Sequence, residues 1–204
     1  MEARKNHWEN VYHTKSSHEV SWYQSQPIIS LQWIQESGIS KEAAIIDIGG
    51  GDSVLVDHLL QLGYNNLTVL DISETAIQKS KSRLGDHAKK INWIVSDVLE
   101  FEPDKKYDLW HDRAAFHFLT EPTDIKKYVQ LAHQSIVEKG CMILATFSDE
   151  GPKKCSGLDI QSYSEESMKG IWDKQFELVT TLKKDHITPS GGKQNFLFSQ
   201  FAKR

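Results

Sequence analysis

The chain has 204 residues, of which 39% are hydrophobic and 25% charged, with a formal net charge of −4. That length suits one domain with a substantial core, and the acidic balance argues against non-specific nucleic-acid binding, which depends on phosphate neutralisation by Lys and Arg. No apolar run approaches the roughly 20 residues of a membrane span. The start, MEARKNHWENVYH, lacks the apolar core of a secretory signal. Cys141 and Cys155 have no metal-type spacing, so a cytoplasmic protein with no membrane contact and no metal site is expected.

Residues 1–40 are rich in aromatics (Trp8, Tyr12, Trp22, Tyr23) and carry one helical pattern, over 28–38. AAIIDIG at 43–49 then reads as a buried strand ending in glycine. Val54, Leu55, Leu59 and Leu62 recur at helical spacing over 53–62, and Gly63 closes that helix. LTVLDIS (67–73) is a second strand, and 74–84 a second helix with Ser73 as its N-cap. INWIVSDV (91–98) and YDLWHDRA (107–114) are the third and fourth strands. A helix over 124–137 closed by Gly140, then a fifth strand at 140–148, complete an alternation that predicts an α/β fold, a parallel sheet covered on both faces. At the chain end, 176–189 and 194–204 flank a Ser-Gly-Gly turn and read as a long antiparallel hairpin.

The stretch AIIDIGGGDS (44–53) places Gly49, Gly50 and Gly51 at the carboxyl end of the first strand, where open α/β sheets bind nucleotides. Glycine there lets the backbone turn at positive φ and lets a ligand approach closely. No Lys-Ser/Thr pair follows, so this is not a phosphate-binding P-loop, and the dinucleotide pattern G-x-G-x-x-G is only half met because Val54 stands at its third glycine. Asp47 and Asp52 flank the loop, and a pyrophosphate facing two carboxylates is costly in a partly buried site. S-adenosylmethionine, with a sulfonium and an ammonium group, suits that charge. Asp71, with Ile72 beside it, stands at the position that accepts ribose hydroxyls. Asp97 ends the third strand at a height suited to an adenine amino group, with Val98 against the ring.

IIDIGGGDS, VLDIS and SDV resemble the glycine motif, ribose acid and adenine acid of the class I S-adenosylmethionine-dependent methyltransferases, and YDLWHDRAAFHFL resembles their fourth motif. HWENVYHTKSSHEVSWYQ and DLWHDRAAFHFLTEP resemble a group of small bacterial-type members. The resemblance implies a three-layer sandwich around a Rossmann-like, seven-stranded, mostly parallel sheet ending in an antiparallel hairpin. It implies that Asp47 fixes the cofactor's methionine end and that Trp8, Tyr12 and Trp22 fold over the cofactor. A single domain over 1–204 follows, with an N-terminal cap (1–40), a cofactor core (41–148), and a substrate rim, helix and terminal hairpin (149–204).

The fourth strand delivers His111, Asp112 and Arg113 to the sheet edge beside the expected methyl group. Methyl transfer is an in-line displacement that needs a held nucleophile and no water. His111 or Asp112 is the expected base, Arg113 the expected clamp for a substrate carboxylate, and His117 a packing residue. The segment HDRA replaces the Asn/Asp-Pro-Pro-aromatic stretch that resemblance associates with base-modifying amino-methyltransferases, which again argues against nucleic acid. No cysteine cluster of the arsenite-methylating kind is present. The loop after the fifth strand offers Cys155 and Ser156 to a substrate pocket, and DHITP offers His186 and Thr188; Asp149, Glu150, Lys153 and Lys154 read as a solvated rim.

The expected protein transfers a methyl group from S-adenosylmethionine to a small-molecule acceptor, releases S-adenosylhomocysteine, and is a monomer or weak homodimer. A protein lysine is the second acceptor, because the N-terminal W-x-x-x-Y segment resembles that of some lysine methyltransferases. The remaining alternatives are a nucleotide-binding oxidoreductase and a cofactor-binding module without catalysis.

Overall fold

The structure is a computed structural model and describes residues 2–204. Five parallel strands build the core of the sheet: β1 (Ile45–Ile48), β2 (Leu67–Asp71), β3 (Ile91–Val95), β4 (Tyr107–Arg113) and β5 (Ile136–Phe147). A two-stranded ribbon, β6 (Lys154–Cys155) and β7 (Leu158–Asp159), projects from the loop after β5. The chain ends in the hairpin β8 (Phe176–Ile187) and β9 (Lys193–Lys203), and β9 inserts antiparallel between β5 and β8. The sheet order is β3-β2-β1-β4-β5-β9-β8, so the expected seven-stranded, mostly parallel α/β sheet is present.

Helices cover both faces, as a parallel sheet requires. On one face α2 (Ile28–Glu36) and α3 (Leu55–Gln61) bury Leu31, Trp33, Ile34, Leu55 and Leu59 against Leu109, Ile143 and Phe198 of the sheet. On the other, α5 (Pro122–Ser135) and α6 (Glu165–Trp172) bury Tyr128, Ala132, Met168 and Trp172 against Trp110, Leu144 and Phe201. The helix α4 (Glu74–Leu84) is capped as expected, Ser73 Oγ accepting from Ala76 N at 3.1 Å. The N-terminal helix α1 (Glu2–Thr14) lies against α4.

Several boundaries differ from the sequence reading, and the third strand stops at Val95 rather than 98, so Asp97 lies past its end as a cap that accepts from Leu99 N. The fifth helix starts earlier, with Pro122 in its first turn, where a missing N–H costs nothing. It stops at Ser135, and the strand begins at Ile136 rather than 140, because Ile136 pairs with Tyr107. Gly140 therefore lies inside a bulged strand and does not cap a helix.

The strand order reverses between β2-β1 and β4-β5. A crevice opens at that switch point, outside the carboxyl ends of β1 and β4. Every cavity feature described below lies there.

Candidate active site

The floor of the crevice is the glycine turn. Gly49 sits at φ +67, and its N–H donates to Leu70 O at 2.7 Å. A β-carbon on Gly49 would lie 2.8 Å from that of Ala115, one on Gly50 would collide with the Asp47 carboxylate, and one on Gly51 would lie 2.5 Å from Asp71 Oδ2. The three glycines are thus required by the two acids beneath them and by the β4 turn opposite. The Gly51 N–H donates to Asp71 Oδ2 at 2.9 Å and the Ser73 N–H to Asp71 Oδ1 at 2.8 Å. Burial nevertheless pushes the Asp71 carboxyl up to about 7, with the neighbouring Asp47 charge adding to the rise.

Asp47 is 5% exposed and is held through one oxygen only: Oδ1 lies 2.7 Å from His111 Nδ1, while Oδ2 is buried without a partner. His111 Nε2 is in turn 2.8 Å from Ser30 Oγ of α2. The ring thus bridges the Asp47 carboxylate and the Ser30 hydroxyl. Both ring nitrogens are therefore committed. The structure thus places the expected base His111 between Asp47 and Ser30, bonded on both sides.

Asp112 departs further from expectation. Side chains alternate across a strand, so His111 and Arg113 share one face of β4 and Asp112 points to the other. It is fully buried there. Its oxygens accept from Ala115 N (2.9 Å), Phe116 N (3.1 Å) and Tyr128 Oη (2.5 Å), and Tyr128 accepts from Trp110 Nε1 at 3.0 Å. Burial raises the Asp112 carboxyl to about 6. It holds the turn after β4 and lines neither compartment of the crevice, so the structure does not bring it together with His111 and Arg113.

Arg113 does reach the crevice. Nη1 donates to Trp22 O at 2.9 Å, the guanidinium lies 4.6 Å from the Phe196 ring centre, and both Nε and Nη2 are buried without partners. Burial draws its guanidinium down to about 10. It lines both compartments of the crevice, together with Tyr12, Trp22 and Gly49. The first compartment, bounded by Asp71, Ile72, Asp97 and Val98, encloses about 100 Å³. That is below the roughly 300–1,000 Å³ of small-molecule sites, because α1 lies across it with Trp8 and Tyr12 facing inward. The second holds Asp47, Gly50, His111 and Ser30.

The acids meet partners that sequence spacing does not reveal. Asp52 is paired with Arg83 at 2.8 Å and accepts from Ser17 Oγ at 2.5 Å, so it is neutralised and presents no free charge to a ligand at the loop. Asp97 accepts from Leu99 N at 3.0 Å and from Arg4 of α1 at 3.3 Å. Glu9 of α1 accepts from Glu74 N (2.6 Å) and Thr75 N (3.2 Å) and so caps the N-terminus of α4. The segment between α1 and α2 is strapped down at Ser21 by His186 Nε2 (2.7 Å) and Gln194 (3.2 Å), and at Trp22 by Arg113.

Of the expected rim residues, Cys155 lines the first compartment, and burial pushes its thiol up to about 12. Ser156 does not. With Gly157 it forms the two-residue turn of the β6–β7 ribbon, both at positive φ (51 and 81), and its side chain lines neither compartment of the crevice. His186 binds the strap and lines neither compartment. Thr188 accepts from Gly192 N within its own hairpin turn. Buried His117 accepts from Phe147 N through Nδ1, and burial lowers its ring to about 3, in keeping with packing.

A seven-stranded α/β sheet with a glycine turn over two buried acids at its switch point defines a nucleoside-binding site of the Rossmann-like type. A family model described as a methyltransferase domain matches residues 45–140. A malonyl-[acyl-carrier protein] O-methyltransferase of Anoxybacillus flavithermus is 37% identical over 107 residues, 52% of this chain and 39% of that one. EEF1A lysine methyltransferase 2 of Homo sapiens is 31% identical over 158 residues, 70% of this chain and 66% of that one. The match to another malonyl-[acyl-carrier protein] O-methyltransferase, from Ilyobacter polytropus, spans only 31% of its length. The Burkholderia thailandensis 1,6-didemethyltoxoflavin-N1-methyltransferase, solved with S-adenosylhomocysteine, shares the fold at a TM-score of 0.77 and 15% identity, covering 98% of this chain and 88% of that one. The chain belongs to the class I S-adenosylmethionine-dependent methyltransferases.

Proposed function

We propose that this chain transfers a methyl group from S-adenosylmethionine to a small-molecule acceptor and releases S-adenosylhomocysteine. The observation that carries the reading is the buried, unpartnered Oδ2 of Asp47 in the compartment floored by the glycine turn. An acceptor atom buried without a donor is costly, and an ammonium group satisfies it. The other residues present fit the same cofactor: Asp71 toward ribose hydroxyls, Asp97 toward the adenine amino group, and Ile72 and Val98 against the ring. The glycine backbone provides close approach. When bound, the cofactor supplies an electrophilic methyl group. The chain's own part is to hold both reactants and exclude water, which Trp8, Tyr12 and Trp22 do by covering the crevice. Because both are paired and buried, His111 and Asp112 take positioning roles in this reading.

A protein lysine is the second reading, supported by the 158-residue similarity to the human lysine methyltransferase. Calorimetric titration with S-adenosylhomocysteine, S-adenosylmethionine and NADH tests the proposal. Micromolar binding of the first two, lost in Asp71→Ala, is expected; binding of NADH alone overturns it.

A further inference from the structure

Among the described residues, Arg113 is the one cation that lines both compartments, at their junction with Gly49, Tyr12 and Trp22. Its bonding is unfinished. Nη1 is used by Trp22 O, but Nε and Nη2, which lie along one edge of the planar guanidinium, are buried and donate to nothing. None of the described carboxylates pairs with it; Asp47 acts on it only through space. Two parallel N–H groups on one guanidinium edge match the two oxygens of a carboxylate. Leaving them unpaired in a buried site is costly, so the site is built for an anion that comes and goes.

A second observation is independent of the first. Most of the titratable side chains that line the crevice are already engaged with other protein groups. His111 has both nitrogens bonded and Asp112 lies on the far face of the sheet. Asp71 accepts two backbone N–H groups, Asp97 accepts from Leu99 N and Arg4, and Asp47 has one oxygen on His111 and one without a partner. The Tyr12 hydroxyl and Cys155 thiol are both held protonated by burial. An acceptor that must lose a proton in the transition state would have to pass it to a group that is already engaged. A carboxylate has none to lose.

We infer that the acceptor is a small carboxylic acid, bound as its anion on the Nε–Nη2 edge of Arg113 and methylated on oxygen to the methyl ester. A lone pair of one carboxylate oxygen forms the new O–C bond as the methyl–sulfur bond breaks, and the bonding pair stays on sulfur. The anion and the sulfonium cation give two products without those charges, and no proton moves. Each carboxylate oxygen has two lone-pair sites, so the Arg113 fork leaves one of them to attack. The proposal rests on the methyltransferase reading above and narrows its substrate class.

The test uses the full chain with methyl-tritiated S-adenosylmethionine and a panel of short aliphatic, hydroxy, dicarboxylic and aromatic acids, each beside its primary amide. Methyl esters release volatile tritiated methanol in base, whereas N-, S- and C-methyl products do not. Calorimetry follows binding of the same acids to the chain loaded with S-adenosylhomocysteine, which needs no turnover. Acids are expected to bind and to give base-labile label, and amides neither. Arg113→Lys and Arg113→Gln are expected to retain S-adenosylhomocysteine binding and to weaken acid binding by about 30-fold or more, as for a lost buried charge-assisted pair. Base-stable label, amides equal to acids, acid binding unchanged in both variants, or no acid bound by a chain that binds S-adenosylhomocysteine each overturn the proposal. Failure to bind S-adenosylhomocysteine overturns the methyltransferase reading itself.

Discussion

The crevice has an acidic half and a cationic half. Under the glycine turn, Asp47, Asp71 and Asp97 stand at or just past the ends of β1, β2 and β3, and backbone groups or near neighbours in space already hold each of them on one side. The other half is assembled from remote segments. Arg113 comes from β4, its carbonyl partner from Trp22, the ring beneath it from Phe196 and the wall beside it from Cys155. Buried Asp47 and Asp71, which no Lys or Arg among the described residues pairs, suit a cationic ligand, and a buried cation without a counter-ion suits an anionic one. One crevice that presents both is matched to a pair of oppositely charged reactants, which neutralise one another only when both are bound.

The acidic half is most sensitive at Asp71. Replacing it with alanine strands the Gly51 and Ser73 N–H groups, and affinity for S-adenosylhomocysteine is expected to fall by about 100-fold, the scale of a lost hydrogen-bonding charge. The same residue sets a pH dependence. Its carboxyl in the unliganded chain is raised to about 7, and ribose hydroxyls donate to the ionised form. Binding therefore weakens as pH falls through 7, by up to about tenfold per unit. Titrations from mildly alkaline to mildly acidic pH should show this slope, and Asp71→Asn should flatten it.

Next in size is Gly50→Ala, whose β-carbon collides with the Asp47 carboxylate. A loss of about 1–3 kcal/mol is expected, seen as weaker S-adenosylhomocysteine binding by calorimetry. Arg83→Ala removes the partner of nearly buried Asp52 and of Asp57. A loss of roughly 1–3 kcal/mol in urea denaturation is expected, with little change in which ligands bind, because Arg83 supports the acidic half from behind. Arg4→Ala removes a partly exposed pair with Asp97 and should cost under about 1 kcal/mol, while stopped-flow association of S-adenosylhomocysteine quickens as α1 loosens. Ser156→Ala, at the ribbon turn, should leave stability within about 0.5 kcal/mol and ligand binding unchanged; a large effect on binding would support the substrate role read from the sequence.

The acidic half is largely legible in the sequence. An apolar run that stops at glycine, an alternation of strand and helix, and an acid at the end of each early strand are local patterns, and parallel strands in register carry those ends to one edge. The terminal hairpin is legible from its Ser-Gly-Gly turn, and Ser73 as a cap from its place before the helix. The β4 triplet is where local pattern misleads, because three chemically suggestive neighbours read as one catalytic group. Strand alternation alone separates Asp112 from His111 and Arg113, so the sequence does carry the signal that divides them.

What only the tertiary structure decided is which charges cancel. Arg83 lies 31 residues from Asp52, Ser30 lies 81 from His111, and Trp22 lies 91 from Arg113. No periodicity encodes such pairs, because they depend on how helices and the N-terminal strap pack onto the sheet. The sequence by itself determined a nucleoside-type crevice and its acidic floor, since those follow from backbone pattern and strand polarity. The cost of a buried charge depends on its neighbours in space, and so it is packing that pairs Asp52 and Asp112 with protein groups and leaves Asp47 and Arg113 with unpartnered atoms.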